Sequence, residues 1–295
     1  MAGEGTGSRA GGEGVSVSGR GGQERMSGGH GPGAVPKKRK RRSGGETRPL
    51  APVQATESKR ERVLYIGCEG ESTEPDYLDY LAKRFGNGER TGQPFRIVPM
   101  CRANGYLPEQ VVEAVRERAA TDETWALFDR DEHTRIPQAV EDAAADGTEI
   151  CFSHPSFDLW LLLHFQAYGG RQSGKSTDVV DKLRKAAPAF KRFDKRNDKS
   201  VQGPRRKALE RNAEAAIRHA KGLVSQCEHG ACKASQYKAD PVDRTSPENP
   251  DHLPQSPRKW AARSGHALDC EVLDRDPSTD VWRLLVSLGI EEDDF

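Results

Sequence analysis

Residues 63–75 read VLYIGCEGESTEP, and this stretch contains the first strand-to-helix transition of the chain. Val63–Cys68 is a short apolar run with β-branched residues, which is typical of a buried strand. A polar turn follows at Glu69–Ser72. Thr73 and Pro75 then favour the start of a helix, because threonine is a good N-cap and proline suits the first turn. The helix itself is predicted from apolar residues at helical spacing: Tyr77, Leu78, Leu81 and Phe85.

The same strand-then-helix pattern recurs three more times before residue 168. Further strands are predicted at Phe95–Cys101, Trp125–Phe128 and Glu149–Phe152. Further helices are predicted at Pro108–Ala120, Ile136–Ala145 and Phe157–Phe165. Strands that alternate with helices through short connections form parallel sheets with helices on both faces. Residues 61–168 are therefore predicted to form an α/β domain.

The rest of the chain differs in character from this domain. Residues 169–295 are predicted to be a basic, helical extension with a long loop at about 225–275. Its helices are predicted at Thr177–Ala187, Pro204–Leu223 and Pro277–Gly289. At the other end, residues 1–60 are predicted to be a disordered basic tail, since 15 of the 30 glycines fall in the first 50 residues. The basic run Pro36–Arg42 suits an import signal, a phosphate-binding arm or a solvated tail.

The net charge of +1 is unevenly distributed along the chain. Residues 171–221 hold 16 basic and 6 acidic side chains, whereas residues 61–170 and 222–295 together carry −16. An acidic body with a basic segment can bind cations on one face and an anionic ligand on another. The mean hydropathy of −0.81 and the absence of a long apolar run predict no membrane partner. Six scattered cysteines without a secretory signal predict reduced thiols and a cytoplasmic location.

Acidic side chains follow two strands of the predicted sheet. Glu69 and Glu71 follow the first strand, and Asp129 and Asp131 follow the third. Ligands of open parallel sheets bind beyond the carboxyl ends of the strands, so these acids are predicted to meet there. Carboxylate oxygens without a nearby soft donor suit Mg²⁺ or Mn²⁺, and such ions commonly assist phosphoryl transfer. The alternative interpretation is that the acids cap helices or remain solvated.

Three stretches and a C-terminal motif together resemble the RloB-like family. They are Val63–Pro75, Ala126–His133 (ALFDRDEH), Ser153–Phe165 (SHPSFDLWLLLHF) and Pro277–Thr279, and the resemblance covers roughly residues 61–290. That family is grouped with the Toprim-like nucleases of bacterial phage defence. The resemblance therefore implies a Toprim-like sheet and a metal-dependent phosphodiesterase, a hydrolase of the endonuclease kind, that acts in abortive infection. It also implies a nucleic-acid substrate, either DNA or RNA with tRNA among the candidates, and by analogy a separate ATPase sensor subunit.

The resemblance also implies roles for individual residues. Glu69 matches the Toprim glutamate, a metal ligand or general base, and Asp129 and Asp131 match the D-x-D pair that holds divalent metal. Lys191 stands where relatives often carry a lysine, which would neutralise the scissile phosphate; a solvated basic loop is the alternative.

This chain departs from the family pattern near its fourth strand. Relatives often carry Ser-Asn-Pro and Glu where this chain has Ser153-His154-Pro155 and Asp158. His154 ends the predicted strand and could face the crevice and meet a phosphate. For Asp158 and His164, a core or capping role is favoured over chemistry.

Basic residues of the extension are predicted to contact the nucleic-acid backbone: Arg171, Lys175, Arg206 and Lys207. A non-catalytic nucleic-acid-binding module with a degenerate site is the second hypothesis. A third, a P-loop NTPase, rests on Gly169–Ser176 (GGRQSGKS), but a P-loop needs a preceding strand and the sequence predicts a helix there.

Cysteines and histidines also cluster near residue 230. Cys227–Cys232 offers two thiols and His229 within six residues. Zinc needs a second pair of ligands at a suitable spacing. Because His252, His266 and Cys270 follow irregularly, a loop of free thiols is favoured over a zinc site.

Overall fold

The computed structural model describes residues 60–131, 133–169, 175–242 and 254–290. All of them belong to one compact unit, Ala55–Phe295, and the predicted tail over residues 1–59 lies outside the described residues. Five strands form a single sheet in the order β2-β1-β3-β4-β5. The strands are β1 (Arg62–Cys68), β2 (Phe95–Met100), β3 (Glu123–Asp129), β4 (Glu149–His154) and β5 (Ser278–Thr279).

The first four strands are parallel, and β5 runs antiparallel to β4. β1 lies between β2 and β3, so that Leu64 stands opposite both Ile97 and Glu123. The carboxyl ends of β1 and β3 are consequently neighbours at one edge of the sheet. The predicted meeting of the acids that follow these two strands therefore has a structural basis.

Nine α-helices surround the sheet in the described part of the chain. They are α1 (Thr73–Phe85), α2 (Pro108–Ala119), α3 (Ile136–Asp146), α4 (Phe157–Leu163), α5 (Thr177–Ala186), α6 (Pro204–Leu209), α7 (Ala213–Ser225), α8 (Pro257–Ala261) and α9 (Val281–Ser287). None of these helices has the length and apolar character needed to cross a membrane.

Two hydrophobic cores lie on opposite faces of the sheet. Successive strand residues point to opposite faces, and β3 shows this directly. Trp125 and Leu127 belong to a core shared with α1, α4, α5, α7 and α9, whereas Ala126 and Phe128 belong to one shared with α2 and α3. The predicted α/β class with helices on both faces is confirmed. Helices of the C-terminal extension share the larger core with the sheet.

Two helix predictions in the extension are wrong. The predicted helix Pro204–Leu223 is two helices, α6 and α7, separated by Glu210–Asn212. The predicted C-terminal helix begins only at Val281, because Ser278–Thr279 instead pairs with the edge strand β4. An edge strand exposes unpaired peptide groups, and this short strand satisfies some of them. The described part of the predicted loop at about 225–275 also contains α8 and three 3₁₀ turns.

A buried ion-pair network ties the extension to the sheet. Glu149, the first residue of β4, is 1% exposed and lies 2.7 Å from Arg283 of α9 through Oε2 and Nη1. Arg263 lies 2.9 Å from the other oxygen of Glu149. The Arg283 guanidinium is itself 2% exposed and lies 4.7 Å from the centre of the Trp125 ring. The stability of the extension therefore depends on charges that are buried and mutually compensated.

Candidate metal and phosphate site

A cleft of about 680 Å³ lies at the carboxyl ends of β1 and β3. The β1–α1 turn, the β3–α3 turn, the start of α4 and the loop around residues 194–199 form its walls. Acidic side chains dominate the lining: Glu69, Glu71, Glu74, Asp129, Asp131, Asp158 and Asp194. We call this the acidic cleft.

Glu69 is held in place by two donors of the chain itself. Its Oε2 accepts a hydrogen bond from the backbone N–H of Asp129 at 2.9 Å, and its Oε1 lies 3.1 Å from Nε2 of His133. Burial raises the pKa of Glu69, and the Asp129 N–H and His133 offset part of that rise. His133 was not assigned a role from the sequence, although it lies only two residues beyond the D-x-D pair. Its contact with Oε1 helps to position the Glu69 carboxylate.

Asp129 and Asp131 reach the acidic cleft by different backbone conformations. Asp129 is the last residue of β3, whereas Asp131 lies in the following turn with a φ of +32° and donates its N–H to Pro155 O at 2.9 Å. An extended D-x-D run, which would place both side chains on one side by alternation, is therefore not what brings them together. The turn geometry does so instead. Desolvation raises the pKa of Asp129 well above its ordinary value, and Glu69 and Glu74 raise it further.

Two further carboxylates are buried beside this pair. Glu74, in the first turn of α1, accepts a hydrogen bond from the Gly70 N–H at 3.2 Å, and desolvation raises its pKa to about 7. Asp158, near the start of α4, has its pKa raised to about 6, again mainly by desolvation. Both are almost wholly buried. The sequence alone did not single out Glu74 for the site and favoured a core or capping role for Asp158, but both line the acidic cleft.

Lys199 and Arg102 are the lysine and arginine that line the acidic cleft, whereas Lys191 lies elsewhere. Lys199 Nζ is 3.8 Å from Asp158 Oδ2, and its side chain is 47% exposed. Desolvation lowers its pKa, but Asp158 and Asp194 outweigh this effect, so the pKa is raised and the side chain remains cationic. Lys191 is exposed and lines a separate cleft of about 710 Å³, whose basic residues are Lys191, Arg192, Lys195, Arg196 and Arg205. We call this second site the cationic cleft.

Two histidines proposed for the site belong to the protein interior. His154 is 4% exposed and its Nε2 lies 3.9 Å from Asp276 Oδ2, so it faces the β5 side of β4 and is not among the residues that line the acidic cleft. His164 lies 3.2 Å from the Tyr77 hydroxyl through Nε2. Burial lowers the pKa of His164 to about 4, so it is neutral at physiological pH. The structure thus places His154 outside the lining of the crevice that it was predicted to face, and a core role for His164 fits the structure.

The remaining basic candidates differ in how available they are. Arg206 of α6 forms an ion pair with Asp79 of α1, which gives it a structural partner instead of a phosphate. Lys207 is exposed on α6, and Lys175 is exposed next to Ser176, which lines the acidic cleft. Arg171 lies outside the described residues. Glu71 lies at the rim, where its Oε2 accepts a hydrogen bond from the Asn104 N–H at 3.1 Å.

The P-loop alternative does not fit the fold. A phosphate-binding loop of that kind joins a strand to a helix. Here the preceding element is α4, which ends at Leu163, and residues 164–169 contain no strand. Residues 170–174 of the segment Gly169–Ser176 lie outside the described residues, but the element that precedes the segment is a helix and not the strand that a P-loop follows.

The donor set of the acidic cleft fits a hard divalent cation. Desolvation raises the pKa values of Glu74 and Asp129, and neighbouring carboxylates raise them further, so the acids of the site outweigh its cations. Asp158 Oδ2 is buried without a hydrogen-bond partner among the described residues. Among the described residues, the group whose ligand atoms all lie within 4.8 Å of one another is a separate cysteine–histidine cluster, and the acids of the cleft do not form such a group. The acids would consequently have to converge by side-chain rotation, and Mg²⁺ or Mn²⁺ would be the ions they suit.

The protein is thus an α/β protein with an acidic cleft at the carboxyl ends of a parallel sheet. The chain belongs to the RloB-like protein family, whose family model matches residues 64–288. The resemblance found in the sequence is therefore confirmed. Comparisons with curated proteins and with solved structures gave no match.

The raised pKa of Glu74 predicts how stability changes with pH. The folded protein keeps a proton on Glu74 up to about pH 7, whereas the unfolded chain loses it near 4.5. The free energy of unfolding should therefore fall as the pH rises through this interval, because the folded state binds more protons there. In urea unfolding at about pH 5 and about pH 8, Glu74→Gln should shrink this fall by up to about 3 kcal/mol.

Glu113→Gln is the matched control for that measurement, since Glu113 is an exposed glutamate on α2. It should show the same fall as the wild type. An equal fall in Glu74→Gln and wild type would contradict the assignment of a neutral, buried Glu74.

Proposed function

We propose that this protein is a metal-dependent nuclease that hydrolyses nucleic-acid phosphodiester bonds. The observation that carries the proposal is that one cleft is lined by buried and half-buried carboxylates from four chain segments, with Lys199 beside them. Keeping these carboxylates together away from water costs free energy, since each one raises the pKa of its neighbours. Groups with strongly perturbed pKa values that share a cleft are candidates for catalysis.

The residues of the acidic cleft would divide the chemistry as follows. Asp129, Asp131 and Asp158 would hold Mg²⁺ or Mn²⁺, with Glu69 as a further ligand or as the base. A cation bound there would polarise the phosphate and lower the pKa of an attacking water. Glu74, whose pKa is about 7, can accept or release a proton near neutral pH. Lys199 is placed to attract a phosphate and to offset negative charge that develops on its oxygens.

The nucleic-acid backbone would be held outside the acidic cleft. The segment 191–200 separates the two clefts: Asp194, Asn197 and Lys199 line the acidic one, and Lys191 and Arg192 line the cationic one. Clustered cations bind polyanions through the release of counterions. A strand that runs over the cationic cleft would thus pass beside the acidic cleft, which gives Lys191 a binding role in place of a catalytic one.

The biological setting of this proposal rests on family membership. We place the nuclease in bacterial anti-phage defence by abortive infection, in the cytoplasm, with a separate ATPase subunit that senses infection. Co-purification of the tagged chain from phage-infected and from uninfected cells tests this setting. An ATPase that is retained in only one of the two preparations would support it.

A substrate screen in the presence and absence of metal tests the nuclease activity. The purified chain is incubated with tRNA, total RNA and DNA in Mg²⁺, in Mn²⁺ and in excess chelator, and the new ends are sequenced. Cleavage of one class that disappears with chelator and returns with added metal is the expected result. Binding without cleavage under every condition would instead support the non-catalytic binding module, and equal cleavage in chelator would refute the metal requirement.

The two lysines of the 191–200 segment should have separable effects. Lys199→Met should lower the cleavage rate at saturating substrate by about 100-fold, because it removes the charge beside the scissile phosphate. Lys191→Met should leave that rate nearly unchanged, weaken substrate binding and reduce the slope of log K against log salt by about 1. The measurements are single-turnover rates and binding titrations at several salt concentrations. A rate loss in Lys191→Met with none in Lys199→Met would reverse the assignment.

A further inference from the structure

Three cysteines and one histidine of the extension, none of which lines the acidic cleft, lie close together. Cys227 follows the end of α7, Cys232 lies five residues later, and His266 and Cys270 come from the segment before β5. Their ligand atoms all lie within 4.8 Å of one another. Cys232, His266 and Cys270 are buried, Cys227 is partly exposed, and none of the three thiols takes part in a disulfide.

The distances between these atoms match the edges of a zinc tetrahedron. With Zn–S near 2.3 Å and Zn–N near 2.0–2.1 Å, a tetrahedral ion separates two sulfurs by about 3.8 Å and a sulfur from a nitrogen by about 3.6 Å. Cys227 Sγ and Cys270 Sγ are 3.8 Å apart. His266 Nδ1 lies 3.3 Å from Cys232 Sγ and 3.7 Å from Cys270 Sγ. A disulfide would need sulfurs separated by about 2.05 Å, so these thiols are spaced for a shared ion.

We propose that Cys227, Cys232, His266 and Cys270 form a structural zinc site. Three thiolates and one imidazole in tetrahedral array favour Zn²⁺ over the oxygen-seeking Mg²⁺ and Mn²⁺ of the acidic cleft. All four positions are filled by side chains, which is the pattern of a structural site and not of a catalytic one. The ligand spacing, C-x₄-C followed by H-x₃-C, also lies within the range that zinc sites use.

The chain around the site is built to bring its two halves together. The Ala267 N–H points at Cys232 Sγ at 3.4 Å, and the Lys233 N–H donates to Gly265 O at 2.8 Å. Gly265 has a φ of +93°, and a Cβ there would lie 2.5 Å from Lys233 O, so only glycine allows this close approach. The buried guanidinium of Arg275 donates to Cys270 O at 3.1 Å, which places a positive charge beside a centre whose net charge would be −1.

The need for such a cross-link follows from how little apolar surface this part of the chain buries. Apart from the cysteines, its small core contains Val224, Ala234 and Ala267. A core of that size contributes little apolar stabilisation where the two segments meet, and a metal bound by both would add to the folding free energy there. The zinc ion would thus hold the chain after α7 against the chain that leads into β5.

Metal analysis of the full-length chain tests the proposal, and it does not depend on nuclease activity. Protein purified under reducing conditions should contain about one zinc ion per chain. Cys232→Ser and Cys270→Ser should lower the zinc content well below that, whereas Cys101→Ser, at an exposed cysteine outside the cluster, should leave it unchanged. Three results would each overturn the proposal. They are protein that stays free of zinc after incubation with it, zinc retained in both cluster variants, and a Cys227–Cys270 disulfide found by mass spectrometry.

A second measurement covers the case in which the cluster variants fail to fold. Replacement of the bound metal by Co²⁺ in the wild-type chain should produce the intense visible absorption of a tetrahedral site together with a thiolate-to-cobalt charge-transfer band. Octahedral, weakly absorbing cobalt would place the metal on oxygen ligands and would refute the thiol site. The thermal midpoint of the wild type should also fall on chelation, and that of Cys101→Ser should fall equally.

Discussion

Asp129→Asn is expected to lower the rate of phosphodiester cleavage by roughly 10³-fold, because it removes the charged oxygen at the end of β3 that would hold the cation nearest to the phosphate. The same substitution should not destabilise the protein. Desolvation and the neighbouring Glu69 and Glu74 raise the pKa of Asp129 well above its ordinary value, so the ionised form is unfavourable in the folded state. Relief of that repulsion should raise the thermal midpoint of the variant at neutral pH.

This combination of lost activity and retained or increased stability distinguishes a catalytic role from a structural one. The rates come from single-turnover cleavage of the substrate found in the screen, and the midpoints from thermal unfolding without metal. Asp131→Asn should lower the cleavage rate similarly, and Glu113→Gln should match the wild type in both measurements. Wild-type cleavage by Asp129→Asn would remove the acidic cleft as the site of chemistry. A loss of activity together with a large fall in stability would mean that Asp129 serves the fold.

Glu149→Ala is expected to lower the free energy of unfolding by about 3–5 kcal/mol, which is the cost of leaving a buried charge without its partner. Arg283 would lose the carboxylate 2.7 Å away while remaining 2% exposed, and Arg263 would lose the same carboxylate. The Val242 N–H, which donates to Glu149 Oε1 at 3.2 Å, would also lose its acceptor. Glu149 is therefore expected to be far more sensitive than an exposed glutamate.

Urea unfolding of a small set of variants measures this effect. Glu113→Ala is the surface control and should change the free energy of unfolding by less than about 0.5 kcal/mol. Arg283→Met should be strongly destabilising, since it leaves Glu149 with one fewer cation. The double variant Glu149→Ala/Arg283→Met should lose much less than the sum of the single losses, because it leaves no uncompensated charge between those two residues. Additive losses would show that the two side chains do not act as a pair.

The alternation of strands and helices was predictable because it depends on local patterns. The apolar runs of β1 to β4 and the helical spacing in α1 are properties of neighbouring residues, and their boundaries came out within a few residues. The short strand β5 was not predictable, since Ser278–Thr279 forms a strand only because the edge of β4 lies beside it. A local pattern of Pro, Ser and Thr before an apolar run reads equally well as a helix cap.

The acidic cleft was predictable in part. Glu69, Asp129 and Asp131 could be chosen because they follow strands, and parallel strands bring their carboxyl ends to one edge. Glu74, Lys199 and His133 could not be chosen, because nothing near them in sequence indicates which side of a helix or loop will face the cleft. Lys191 and Lys199 both lie in a basic segment, and only the path of the chain separates them into two clefts.

The sequence by itself determined the class of the fold, the family and the three acids at the strand ends, since these follow from short-range periodicity and from the fixed direction of parallel strands. Tertiary structure alone decided which charges are buried together. It brought Cys227 and Cys270 to within 3.8 Å across 43 positions of chain, and it placed Glu149 between Arg263 and Arg283. The physical reason is that burial and through-space distance control pKa values, ion pairing and metal ligation, and neither quantity is a function of separation along the chain.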